Sequence, residues 1–151
     1  MGGKVKSAGV FASMVLAIGM LAAQPAVAQD KVYKEGSVWS VGLVKVKPGM
    51  LDQFTQDLAA TRKPILDELQ KQGLILSHKM LWGTSNGRDD FNLILLVEHK
   101  DWATFDRITA KTDEISKKVY AGEEKRVQLM VKRADMREML GLKNMQELTF
   151  R

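Results

Sequence analysis

Hydrophobic residues change their spacing abruptly within the stretch SVGLVKVKPGMLDQF. Alternating, β-branched residues over 38–46 predict a strand, and the Pro-Gly pair after them predicts its end. The apolar residues then recur every three or four positions, which predicts an amphipathic helix. Pro64 lies inside this pattern and predicts a bend within one helix, which should end at Gly73. The predicted inner stripe of this helix is Leu51, Phe54, Leu58, Ile65 and Leu69.

The same two spacings continue along the rest of the chain. Residues 74–82 and 91–99 predict two strands, and an Asn-Gly turn between them predicts a hairpin. A second helix should begin after an Asp101 cap, and a third should cover about 123–140 with Gly141 as its cap. Residues 144–150 predict a last strand. The predicted inner positions are Trp102, Phe105, Ile108, Ile115 and Val119 in the second helix, and Val127, Met130, Val131 and Ala134 in the third.

The order of these elements predicts the fold class. Strand, helix, strand, strand, helix and strand form the α+β, ferredoxin-like βαββαβ arrangement, here with an extra helix before the last strand. The first and third strands are the most apolar and should be central. The second and fourth carry more polar residues and should form the edges.

The third strand is apolar on both faces. Phe91, Leu93, Leu95 and Val97 alternate with Ile94 and Leu96. Helices can cover only one face of the sheet, and half-buried antiparallel strands normally leave a polar second face. The sequence therefore predicts a homodimer in which the sheet face of one copy packs on that of another, giving a dimeric α/β barrel.

The first residues predict export. Basic Lys4 and Lys6 precede an apolar run over 8–23, and Ala-Val-Ala at 26–28 is typical of a signal-peptidase site. Cleavage is expected between Ala28 and Gln29, giving a periplasmic or secreted protein that no longer contacts the membrane. An uncleaved membrane anchor is the alternative, but the apolar run is shorter than the about 20 residues of a spanning helix. The remaining chain should have a flexible arm over 29–36 and a single domain over 37–151.

Composition excludes several functional classes. The chain has 23 Lys and Arg against 18 Asp and Glu, and two of the lysines lie in the predicted signal, so this balance predicts no nucleic-acid partner. It contains no Cys and only two His, which predicts no metal site and no disulfide. Phosphate-binding loops and hydrolase nucleophile motifs are absent from the sequence, and we expect no cofactor.

Three stretches resemble the dimeric α/β-barrel superfamily, which includes antibiotic-biosynthesis-monooxygenase-like proteins. They are VWSVGLVKVKPGMLDQF, FNLILLVEHKDWATFD and REMLGLKNMQELTF. The chain is also similar to exported, uncharacterised bacterial members of that grouping. The resemblance implies the ferredoxin-like fold and a dimer. It implies no particular activity, because one fold carries many unrelated functions.

The candidate ligand-binding residues lie mainly on the second strand. His78, Met80 and Trp82 share one face there, and Trp39 is expected nearby, at the mouth of the barrel. A titratable ring among large apolar side chains is typical of a residue that orients a ligand. A structural histidine and indoles in ordinary core packing are the alternatives, and no catalytic residue is identified. We expect a solvated His99 and a solvated basic face on the third helix, comprising Lys125, Arg126, Lys132, Arg133 and Arg137.

The sequence leaves several functions open. The first is an exported dimer that binds a small, mostly apolar molecule without catalysis. The alternatives are a cofactor-independent, monooxygenase-like enzyme acting on a small apolar substrate, and a structural or protein-interaction module. A cavity beside His78 would favour the first or second of these functions, and a filled interior would favour the third.

Overall fold

The computed structural model of the protein describes residues 31–151. The predicted signal peptide and its cleavage site lie outside these residues, and both stay predictions. None of the helices in the described part of the chain is long and apolar enough to cross a membrane.

Seven elements follow one another in the predicted order, with the extra helix before the last strand. Their bounds are β1 Tyr33–Val46, α1 Leu51–Lys71, β2 Ser77–Trp82, β3 Leu93–His99, α2 Trp102–Tyr120, α3 Glu123–Met136 and β4 Arg137–Phe150. β2 and β3 pair as the predicted hairpin, although each begins two or three residues later than the apolar runs indicate.

The four strands form one antiparallel sheet in the order β2-β3-β1-β4. β1 and β3 are therefore central, and β2 and β4 are the edges, as their apolar content predicts. The helices pack on one face of this sheet and leave the other face open. This topology confirms the predicted ferredoxin-like α+β fold.

The core lies between the helices and alternate residues of the central strands. The strand residues that face the helices are almost fully buried: Val38, Val44, Val46, Leu93, Leu95 and Val97. Helix α1 contributes Phe54, Leu58, Ile65 and Leu69, four members of its predicted stripe. The helix is continuous across Pro64, and Gly73 follows it with a φ of +68°, a conformation that favours glycine.

Helix α2 begins as predicted, because the Asp101 side chain accepts a hydrogen bond from the Thr104 backbone N–H at 2.7 Å. Ile108 and Ile115 are buried, also as predicted. The assignment of Trp102 to the core is wrong, since its side chain is 45% exposed. As the first residue of the helix it lies at the rim of the core.

The C-terminal part differs from the prediction. Helix α3 ends at Met136, and Gly141, predicted to cap it, lies inside β4 opposite Leu43. β1 is long enough to give ladder partners to residues 137–142, and these backbone hydrogen bonds favour a strand over a further helical turn. The residues of α3 that were predicted to face inward are exposed: Val127, Met130, Val131 and Ala134. Arg133 and Met136 are buried instead.

The predicted flexible arm over 29–36 is partly wrong. β1 begins at Tyr33, which pairs with Phe150, and Glu35 pairs with Leu148. The long β4 supplies these partners, so residues 33–35 join the sheet. A register shift between Glu35 and Val38 separates this extension from the rest of the ladder.

Candidate functional site

His78 projects toward the helices from the edge strand β2. It lies opposite Val97 in the ladder, and Met80 lies opposite Leu95, so both share the side of the sheet on which those core residues are buried. The Nε2 atom of His78 is 3.0 Å from Oδ1 of Asp67 on α1. This contact fixes the imidazole between strand and helix, with 21% of its side chain exposed.

Asp67 also contacts the Lys63 ammonium, one turn earlier on α1. The hydrogen bond from Lys63 lowers the pKa of the Asp67 carboxyl. Burial acts in the opposite direction, and the contact with His78 lowers the pKa further. The carboxylate is therefore ionised at neutral pH and accepts from both partners. A histidine held by a carboxylate in this way has one ring nitrogen engaged and the other available.

A cavity of about 260 Å³ lies between α1 and β2, and we call it the α1–β2 cavity. Its walls are largely apolar, with His78 and a few cationic side chains among them. The lining residues are Thr55, Leu58, Ala59, Arg62, Lys63, Leu66, His78, Lys79, Met80 and Leu96. Of these, Lys79 and Leu96 occupy strand positions that face the opposite side of the sheet, so they only border the cavity. Two of the predicted ligand-binding residues, His78 and Met80, are thus brought to one cavity.

Trp82 does not line this cavity. It lies at the end of β2, is 52% exposed and borders a separate depression of about 130 Å³ beside the hairpin loop. Trp82 shares the helix-facing side with His78, as predicted, but it is four residues farther along a strand that runs past the end of the cavity.

Trp39 lies on the opposite, open face of the sheet, which corrects the expectation that it is near His78. It is adjacent to the buried Val38, and strand alternation turns it away from the helices. The extension of β1 to Tyr33 also puts Trp39 within the strand, not at its end. Its ring lies under the Lys79 ammonium, 4.8 Å from the ring centroid, and its Nε1 donates to Glu147 at 3.3 Å.

Trp39 belongs to a polar network across the open face that the sequence did not reveal. Ser77 donates to Glu98 at 2.6 Å, and Ser37 lies 2.8 Å from Glu98 and 2.9 Å from Glu147. Hydrogen bonds from Ser37 and Trp39 lower the pKa of Glu147. These residues come from all four strands, so only the register between strands brings them together.

The rest of the open face is an apolar patch. Its members are Val41, Leu43, Leu81, Ile94, Leu96 and Met145, of which Leu81 and Met145 are 50% and 54% exposed. We call this set the open-face patch. It includes the two residues of β3 that were predicted to point away from the helices, Ile94 and Leu96.

His99 is buried, with 3% of its surface exposed, which overturns the expectation that it is solvated. Its Nε2 is 3.0 Å from the Ser40 hydroxyl, and its ring meets Phe105 edge-on with centroids 5.2 Å apart. Its Nδ1 has no hydrogen-bond partner among residues 31–151. Burial lowers the pKa of His99.

Arginines enter the interior, contrary to the prediction of a solvated face that includes Arg133 and Arg137. Arg133 is buried, and its Nε donates to Asp57 of α1 at 2.6 Å. Together with Arg62 and Arg137 it lines a second cavity, of about 210 Å³, which we call the arginine cavity. The only feature of the sequence that indicated a buried Arg133 was its spacing from Leu129 and Met136, which puts all three residues on one helical face.

Comparisons with known proteins concern the fold alone. No protein-family model matches the chain, and no curated protein matches it in sequence. A dimeric ferredoxin-like protein from an uncultured marine organism aligns with a TM-score of 0.47 and 15% identity, covering 77% of this chain and 96% of that one. A NIPSNAP family protein with unknown function from Agrobacterium tumefaciens aligns with a TM-score of 0.42 and 12% identity, over 77% of this chain and 90% of that one. Neither alignment bears on function, which has to be inferred from the residues of this chain.

Proposed function

We propose that the protein is an exported homodimer that binds a small, mostly apolar molecule in the α1–β2 cavity of each protomer, without catalysis. The observation that carries this proposal is the combination of an apolar cavity with one oriented polar group, His78. Ligand sites in proteins typically have this composition, in which apolar walls supply affinity and a few polar atoms fix orientation.

The size of the cavity limits the ligand. About 260 Å³ lies just under the roughly 300–1,000 Å³ typical of pockets for drug-sized molecules. A single-ring or short branched compound fits such a volume. One hydrogen bond to the free ring nitrogen of His78 would set its orientation, while Leu58, Leu66 and Met80 contact its apolar part.

Two of the other polar side chains of the cavity, those of Thr55 and Lys63, are already engaged, which favours binding over chemistry. The Thr55 hydroxyl donates to the Leu51 carbonyl at 2.9 Å, as in an ordinary helix. The Lys63 ammonium is paired with Asp67. No group of three or more His, Asp or Glu side chains in residues 31–151 is arranged to hold a metal ion.

A second candidate function is favoured by the pair of His78 and Asp67. A carboxylate that orients an imidazole is the arrangement of a general base, which would suit the cofactor-independent, monooxygenase-like enzyme that the sequence leaves open as an alternative. Asp67 is 45% exposed at its side chain, so the pair is open to solvent and less suited to that role. A turnover assay of substrate candidates with His78→Ala and Asp67→Asn variants separates the two functions.

The open-face patch supports the homodimer. Soluble monomers seldom leave a contiguous apolar sheet face uncovered. Charges of both signs border the patch, with Lys45, Lys79 and Lys143 against Glu98, Glu138 and Glu147. A face of mixed charge can meet an identical face across a two-fold axis without net repulsion, so a second copy of the chain suits it well.

Thermal unfolding in the presence of uncharged aromatic probes, indole and phenol, tests the binding proposal. We expect a saturable rise in the unfolding midpoint. His78→Ala should weaken the apparent affinity about fivefold, the effect of one lost hydrogen bond. Ala59→Phe should abolish the response by filling the cavity, whereas Ala60→Phe, at the next exposed position of α1, should preserve it. Equal responses in the two phenylalanine variants would contradict the proposed site.

A further inference from the structure

The arginine cavity lies between the sheet and the three helices, and its charge is unbalanced. Arg62, Arg133 and Arg137 line it, and none of its lining residues is acidic. Asp57 forms an ion pair with Arg133 but is not itself a lining residue of the cavity. One carboxylate therefore faces three guanidinium groups, and the charges of Arg62 and Arg137 have no paired carboxylate among residues 31–151.

Arg133 is a structural member of this group. Although burial opposes it, the hydrogen bond with Asp57 raises the pKa of Arg133. The same guanidinium also contacts the Thr61 hydroxyl, so its donors are largely used within the protein. Arg133 thus holds α3 against α1 and is not free to bind a ligand.

Arg137 has an unused donor. Its Nε is buried and has no hydrogen-bond partner within the described part of the chain. Burial and the nearby Arg133 lower the pKa of Arg137, and burial likewise lowers the pKa of Arg62. A guanidinium does not lose its proton in proteins, so both groups remain charged, and an anion in the cavity would compensate that charge.

The remaining lining determines what kind of anion fits. Phe54, Ile65 and Leu95 form apolar walls, and Ser116 and Tyr120 add hydroxyl groups. A free inorganic ion would make no apolar contact with those walls. A compact apolar group bearing a carboxylate matches both the walls and the planar fork of a guanidinium, which binds carboxylates with two parallel hydrogen bonds.

We propose that the arginine cavity is a binding site for a small organic acid, whose carboxylate is held by Arg62 and Arg137. This site goes beyond the proposed apolar ligand of the α1–β2 cavity. Arg62 borders both cavities, but Arg137 lines only the arginine cavity and His78 lines only the other, so variants at Arg137 and His78 let the two proposals fail separately.

The test is the unfolding midpoint of the full mature protein, titrated at constant ionic strength with benzoate, with its neutral analogue benzamide and with inorganic phosphate. We expect a saturable stabilisation by benzoate and none by benzamide. Arg137→Gln should weaken the apparent affinity for benzoate by about tenfold or more, because a charge-assisted hydrogen bond is lost. Lys132→Gln removes one positive charge from the exposed face of α3 and should leave the affinity unchanged.

Arg62→Gln gives a second test, on helix α1 instead of strand β4, in case Arg137→Gln does not fold. A benzoate response that is equal in wild type and in both glutamine variants would overturn the proposal, as would the absence of any benzoate response. Stabilisation by phosphate but not by benzoate, lost in Arg137→Gln, would assign the cavity to inorganic oxoanions and overturn the organic acid.

Discussion

His78 and Asp67 join the edge strand β2 to helix α1 through a 3.0 Å contact between Nε2 and Oδ1. Edge strands have one unpaired side, and a side-chain link of this kind fixes how far the strand stands from the helix. The α1–β2 cavity lies at this junction, so the pair both shapes the cavity and orients its imidazole.

The proposed dimer interface can be tested at Ile94, which belongs to the open-face patch. Ile94→Glu should convert a wild-type dimer to monomer at micromolar concentration, because a buried unpaired carboxylate is costly at an interface. Sedimentation velocity measures the change. Val131→Glu makes the same substitution at a 65% exposed position of α3 and should leave the dimer intact. A wild-type protein that sediments as a monomer would contradict the interface.

The ion pair between Asp57 and Arg133 should be a major contributor to stability. Their side chains are only 8% and 10% exposed, so Asp57→Ala leaves a buried guanidinium without its partner. We expect a loss of about 3–5 kcal/mol in the free energy of unfolding, measured with urea. The double variant Asp57→Leu with Arg133→Met should lose less than the single variant. Glu123→Ala breaks a surface pair with Arg126, in which the Glu123 side chain is 66% exposed, and should have a much smaller effect.

His99 should make the protein less stable in mild acid. Its pKa is lowered by burial, so in the folded state it stays neutral at pH values where the unfolded chain is already protonated. Stability is therefore full above the unfolded pKa of about 6.5 and falls as pH decreases below it. Urea unfolding at pH 7.5 and pH 5.5 should show a larger loss in wild type than in His99→Asn. Identical losses would show that His99 is not the group responsible.

Export can be tested at the N-terminus of the mature protein. We expect Gln29 as the first residue, because Ala26-Val27-Ala28 follows the apolar run in the form that signal peptidase recognises. N-terminal sequencing of protein expressed in its own host determines this directly. A mature protein that retains Met1 would rule out cleavage at this site.

Much of the fold was predictable because it depends on local periodicity. The alternation in β1 and β3 and the stripe from Phe54 to Leu69 each identify both an element and its buried face. Helix α3 shows where this reasoning fails. Val127, Met130 and Val131 form an apolar stripe, but a stripe does not specify which surface it meets, and the buried pair of Arg133 and Asp57 turns it outward.

The candidate site was only half predictable. His78 and Met80 are two residues apart on one strand, so their common face follows from the sequence alone. Trp39 lies within β1 and not at its end because the strand begins at Tyr33. The strand begins that early because the long β4 provides pairing partners for residues 33–35. Arg62 and Arg137 are distant in sequence, and only the packing of α1 against the start of β4 brings them to one cavity.

The most direct measurement is a native mass spectrum of the mature protein purified from its own host. We expect a dimer with an additional mass corresponding to a small bound molecule. That mass should disappear in Ala59→Phe, which fills the α1–β2 cavity, and persist in Ala60→Phe. A monomer, a dimer without additional mass, or a dimer whose additional masses all persist in Ala59→Phe would contradict the proposed ligand-binding dimer.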